Sequence, residues 1–157
     1  MIQQLEDENA LPTQLYLSTN AADYQSFLKI NRPRYDDSWE RWNRTLKMLS
    51  KLHTRTVLRL TLIRGYNDNE ETVPAFASLL QQSNAHFVEI KSYMHIGRST
   101  NRLEYSDMLE MDEVRYFANK LVQENSAFTV MDESEISRIV ILQNKKRFVD
   151  RFIPAYC

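Results

Sequence analysis

The sequence predicts an α/β protein built on parallel strands, and three observations carry that prediction. Three strand-like runs end in polar side chains, segments of helical period separate them, and the only two glycines, Gly65 and Gly97, each stand just beyond a run. Glycine suits a chain leaving a strand through a strained turn.

The runs are 15–20, 57–64 and 87–93. Successive strand side chains point to opposite faces, so one face collects Tyr16, Ser18, Asn20, Arg59, Thr61, Glu89, Lys91 and Tyr93, while the other is mostly apolar. Between the first two runs, Trp39, Trp42, Leu46 and Leu49, with Met48 and Leu52, form a helical stripe, and Asp37 followed by Glu40 reads as a capping box. Val73, Phe76, Ala77 and Leu80 form the next stripe. Pro74 is tolerable only in a first turn, so that helix should start near Thr72. A third stripe runs through Val114, Phe117, Ala118 and Leu121, with Asp112 placed to cap it, and a last strand is expected at about 138–143. The order is β-α-β-α-β-α-β, with about four parallel strands and three helices. Such alternation calls for right-handed crossovers and places ligands at the carboxyl ends of the strands. Residues 1–12 are polar and acidic and read as a flexible segment, 13–157 as a single α/β domain, and 93–111 as a long loop carrying Arg98 and Arg102.

Composition narrows the function. The 157 residues are 43% hydrophobic and 26% charged, enough for one core, and 20 basic against 21 acidic residues give a net charge of −1. Bulk charge therefore does not drive binding to nucleic acid, and any such contact must be local. One cysteine, Cys157, allows neither a disulfide framework nor a cysteine-ligated metal centre made by this chain alone, and it fits a cytoplasmic location. No run approaches the roughly 20 apolar residues of a membrane span, so no membrane partner is expected. His53, His86 and His95 lack neighbours at metal-ligand spacing, and neither a phosphate-cradling glycine loop nor a nucleophile elbow is present.

Charge on a half-buried sheet is costly unless it is paired or bound to something, which makes the polar face a candidate ligand site. Lys91 is the candidate catalytic residue: it can pair with a carboxylate or, if desolvated, form a Schiff base with a keto acid. The structural alternative is an ion pair among Arg59, Glu89 and Lys91 on adjacent strands. Lys29, Arg32 and Arg34, with Pro33 fixing the turn, form a basic cluster suited to phosphate, joined by Arg98 and Arg102. Solvated charge is the commoner reading of such a cluster, and Lys145, Lys146, Arg147 and Arg151 read as a solubilising run.

The segments 13–21, 27–33, 39–41 and 55–67, with Phe87-Val-Glu-Ile-Lys91, resemble the later part of the radical S-adenosylmethionine tRNA 4-demethylwyosine synthases. The resemblance covers about 13–121 and fades after about 143. It implies the second half of a partial βα barrel, in a family that condenses pyruvate carbons onto N1-methylguanosine at position 37 of phenylalanine tRNA in making the wyosine base. On that resemblance Ser18 and Asn20 contact the ribose and amino-acid portions of S-adenosylmethionine, and Thr61 and Ile63 lie on the adenine-contacting strand; the structural alternatives are a strand-end turn or helix cap for Ser18 and Asn20 and ordinary barrel packing for Ile63. Arg59, Glu89, Arg32, Arg34 and Lys29 face the substrate. The family's three-cysteine loop for a [4Fe-4S] cluster has no counterpart here, so the chain alone is expected to be inactive. A half barrel exposes its inner face, so a missing N-terminal half, a second subunit or a second copy should cover it. The rival reading is a non-catalytic tRNA- or small-molecule-binding module.

Overall fold

A computed structural model describes residues 2–153. The expectations resting on Cys157 therefore lie outside the described residues. The chain runs α1 (Ile2–Asp7), β1 (Gln14–Ser18), α2 (Tyr24–Asn31), α3 (Ser38–Met48), β2 (Arg55–Leu62), α4 (Val73–Ser83), β3 (Phe87–Ser92), α5 (Met111–Glu124), β4 (Phe128–Ser134) and β5 (Ile139–Asn144), with short 3-10 turns at Glu70–Thr72, Gly97–Asn101 and Tyr105–Asp107.

The five strands form one sheet in the order β1-β2-β3-β5-β4. β1, β2 and β3 are parallel, as expected, but the strand at 139–144 lies antiparallel to β3. The cause is β4, which the sequence reading missed. β4 and β5 are joined by a short turn over 135–138, with Arg138 at φ 49°, and a connection that short can only reverse the chain; a parallel neighbour needs a crossover of a dozen or more residues. β4 hides from pattern reading because it is an edge strand: Asp132, Glu133 and Ser134 face outward or are half-buried, so no apolar alternation marks it.

Helices α3, α4 and α5 cover one face of the sheet. Leu58, Leu60, Leu62, Val88, Ile90 and Leu142 point into that layer and meet Leu46, Phe76, Leu80, Val114, Phe117 and Leu121. Phe76 and Phe117 pack edge to face, with ring centres 5.9 Å apart. Burying a side chain of this size is worth roughly 1.5–3 kcal/mol, so this layer holds the molecule together.

The helix starts show how local chemistry was and was not legible. α4 begins at Val73 with Pro74 in its first turn, as the sequence required. α3 begins beside Asp37, but that carboxylate makes no cap bond and instead pairs with Arg41 one turn on, at 2.7 Å. α5 is capped by Glu110 with Glu113 in a reciprocal box, and Asp112 lies inside the helix, paired with Arg115. α2 went unread, although Asp23 caps it through Ser26 N. Residues 1–12 carry α1, and Ile2 and Leu11 pack against the core.

On the second face α2 reaches only the strand ends, where Ile30 packs against the cluster of Ile63 and Tyr93, and residues 151–153 line a cleft with Val57, Phe87 and Glu89. Strand register puts Ser18 opposite Arg59 and Arg59 opposite Glu89, and one pleat further on it puts Thr61 opposite Lys91. The polar face read from the sequence is therefore real, and it is the one opposite the core layer of α3, α4 and α5.

Candidate functional site at the strand ends

A cavity of about 410 Å³ opens where the parallel strands finish. Asn20 follows β1, Arg59, Thr61 and Ile63 come from β2 and its end, and Lys91 comes from β3. Lys29 and Arg32 reach it from the end of α2, and Arg102 from the loop after β3. Seven of the ten site residues named from the sequence thus share one cavity. The other three do not line it: Ser18 is exposed at the end of β1, Glu89 is on the same sheet face but bonded to Arg59, and Arg34 lies against the Tyr35 ring, 5.7 Å from its centre.

The local folding of each wall is traceable. Asn67, only 2% exposed, donates from Nδ2 to the carbonyls of Asn20 (2.8 Å) and Thr61 (2.9 Å), and its Oδ1 accepts from Ile63 N at 2.7 Å. One amide side chain thereby satisfies three backbone groups, one of them fully buried, and fixes the ends of β1 and β2 to each other. Asn20 Oδ1 adds a fourth link by accepting from Thr61 N at 3.3 Å. Sequence reasoning passed over Asn67; its signal was position, a short amide five residues past the end of β2, where Asn bonds its own backbone. Arg32 ends α2 in the left-handed conformation, φ 47°, which turns the chain at the cavity rim. The far wall hangs on Arg64, which donates to Ser106 O and Met108 O and pairs with Glu113, tying the loop to α5.

The floor is an ion pair. Arg59 Nε donates to Glu89 Oε1 at 2.7 Å and its Nη2 to Oε2 at 3.3 Å, and the guanidinium lies 4.4 Å from the Tyr16 ring centre. The bond to Glu89 raises the affinity of Arg59 for its proton further above the ordinary guanidinium range. Lys91 does not join: among the described residues it has neither an ion-pair nor a hydrogen-bond partner, so the three-member network weighed from the sequence reduces to two.

What remains is an anion trap. Lys29, Arg32, Lys91 and Arg102 line the cavity, no carboxylate lines it, and none of these four is in an ion pair among the described residues. Apolar surface is present as well, from Ile63, Tyr93 and Leu103. Cavities of this size with a few convergent polar groups take ligands of cofactor size. Among the described residues no three His, Cys, Asp or Glu side chains gather as metal ligands, and no helix is long and apolar enough to cross a membrane.

Comparison with known proteins agrees with the geometry. Residues 82–144 match the family described as wyosine base formation. The chain is 43% identical over 143 residues to the S-adenosyl-L-methionine-dependent tRNA 4-demethylwyosine synthase of Methanocaldococcus jannaschii, a match covering 91% of this chain and 44% of that enzyme. Its counterpart in Pyrococcus abyssi is 38% identical over 141 residues, covering 90% and 41%. A solved TYW1 with a lysine-pyruvate adduct bound superposes with a TM-score of 0.77 at 39% identity, covering 90% of this chain and 44% of that one. The chain therefore spans under half the length of these relatives. Over about nine-tenths of its length, in sequence and in fold, the chain is similar to a stretch that makes up less than half of these tRNA 4-demethylwyosine synthases.

Proposed function

We propose that this chain supplies one wall of the active site of a tRNA 4-demethylwyosine synthase in wyosine biosynthesis. Its sheet forms the later half of a partial barrel, and a separate N-terminal portion covers the polar face. The carrying observation is the cavity at the strand ends, lined by Lys29, Arg32, Lys91 and Arg102 outside any ion pair and by no carboxylate among the described residues, in a fold shared with a TYW1 that holds a lysine-pyruvate adduct.

The lining fits S-adenosylmethionine. The Thr61 hydroxyl and Asn20 offer short-range polar contacts, Ile63 and Leu103 offer apolar surface, and Lys91 is a free cation for a carboxylate. When bound, that cofactor supplies the radical chemistry of the family, with an iron-sulfur cluster held outside this chain. The residues here bind and orient. Lys91 neutralises the carboxylate of the cofactor or of pyruvate, while Glu89 holds Arg59 flat on the floor so that the guanidinium does not compete for the same anion. Ser18, beside the mouth, completes the cofactor edge. Lys29, Arg32, Arg34 and Arg102 take phosphates of the tRNA backbone, whose planar match to arginine favours such contacts. Residues 13–157 act as one domain, in the cytoplasm with its tRNA.

The test is a chimera. This chain replaces the matching stretch of the Methanocaldococcus enzyme, and 4-demethylwyosine formation is measured on tRNA carrying N1-methylguanosine. Turnover is expected, with Lys91→Ala sharply reducing it. Normal turnover by Lys91→Ala removes that residue from the mechanism, and a folded chimera without any turnover overturns the assignment. Trapping with borohydride and labelled pyruvate separates the two lysine roles: label on Lys91 itself would replace carboxylate pairing by covalent chemistry.

A further inference from the structure

Beyond phosphate contacts, the cavity mouth carries an exposed apolar tip whose position is fixed. Ile96 lines the cavity yet is 70% exposed, and Met94, two residues earlier, also lines it at 37%. Other apolar side chains of this protein are exposed as well, Ile136 at 95% among them, but Ile96 and Met94 are two that line the cationic cavity, where an entering ligand would cover them. Ile96 is not a loose loop residue. Its N–H donates to Met94 O at 2.8 Å, and its carbonyl accepts from the Ser99 hydroxyl at 2.7 Å. Gly97, at φ +65°, turns the chain directly behind it, and the Thr100 hydroxyl closes the turn on Gly97 O at 2.8 Å. Below it, the Tyr93 hydroxyl and His95 Nδ1 lie 3.2 Å apart, and His95 N donates to Met108 Sδ at 3.2 Å, anchoring the segment to the cavity wall.

Around this tip stand Arg98 and, on the cavity lining, Arg32, Arg102 and Lys29, none in an ion pair among the described residues. The chain as a whole is nearly neutral, so the positive charge here is local. An apolar projection beside cations that have no carboxylate partner matches a polyanion that also presents flat apolar faces. An unpaired RNA strand does so, because its bases stack on side chains while its phosphates meet arginine. A protein surface would need acidic groups and would gain nothing from the planar geometry.

We infer that Ile96, supported by Met94, is the positioning residue that holds an unpaired nucleobase at the cavity mouth, packing against the base face while the surrounding arginines hold the flanking phosphates. This rests on the tRNA reading above and deepens it by assigning base contact to a residue with no charge and no reactive group. Bases in paired RNA are stacked and out of reach, so Ile96 selects looped over paired RNA, and the cations do not.

The experiment measures fluorescence anisotropy of the full chain with two labelled RNAs of equal length, a hairpin with an unpaired loop and a continuous duplex. Circular dichroism confirms that each variant folds, and the exposure of Ile96 makes this the expected outcome. Ile96→Ala is expected to weaken hairpin binding about tenfold, the equivalent of losing part of an isoleucine side chain's burial, and to leave duplex binding unchanged. Ile96→Leu is expected to restore most of it. Arg102→Ala should weaken both RNAs alike and reduce the salt slope by about one. Unchanged hairpin affinity in Ile96→Ala, or equal loss on both RNAs, overturns the inference while leaving the tRNA reading intact. Wild-type chain that binds neither RNA overturns both.

Discussion

Acid should unfold this protein through one buried histidine. His86 is 7% exposed at the start of β3, where its Nδ1 accepts from Thr56 N at 3.1 Å and lies 2.9 Å from Thr56 Oγ1. Burial, and then the positive charges of Arg147 and Arg55, push its pKa from 6.5 down to about 4. Geometry gives the same direction, since a protonated Nδ1 would point a hydrogen at the Thr56 N–H. Between pH 6.5 and 4 the unfolded chain takes up a proton at this site and the folded chain does not. Stability is therefore fully present above pH 6.5 and falls with pH through that window, by about 2 kcal/mol at pH 5 and about 3 kcal/mol at pH 4. That is a large share of the 5–15 kcal/mol typical of a domain. Urea unfolding from pH 7.5 to 4.5, compared with His86→Asn, isolates the contribution, because asparagine can still accept from Thr56 N but does not titrate. The stability difference between the two proteins should shrink or reverse as pH falls. A difference that stays flat across the window would show that His86 takes up its proton equally readily in the folded and unfolded chain, and would refute the reasoning.

Asn67→Ala strands Ile63 N and the carbonyls of Asn20 and Thr61 without their partner, so a loss of about 2–4 kcal/mol in urea unfolding is expected. Glu89→Gln removes the charge that occupies Arg59. The cost should be only about 1–2 kcal/mol because the Arg59 side chain is 38% exposed, while retention of small anions such as pyruvate should tighten. Unchanged anion affinity would mean that Arg59 does not face the ligand.

Much of this was legible along the chain because the relevant physics is local. Two-residue alternation put Arg59, Thr61, Glu89 and Lys91 on one face whatever their neighbours, and Pro74 set the start of α4 by its missing N–H. Lys91 and Arg59 could be named as cavity residues from strand position alone. Their pairing could not, since which cation Glu89 takes depends on distances across strands 30 residues apart: Glu89 bonds Arg59 directly across the register and leaves Lys91 free. β4 escaped for the same reason. An edge strand is stabilised by the neighbour it pairs with, not by a pattern of its own, so its existence and the reversed direction of β5 appear only once the sheet is assembled. Asn67 and Ile96 complete the contrast. One is an ordinary loop amide and the other an ordinary aliphatic residue in sequence, and only the folded chain makes the first the clasp of two strand ends and sets the second in solvent among arginines.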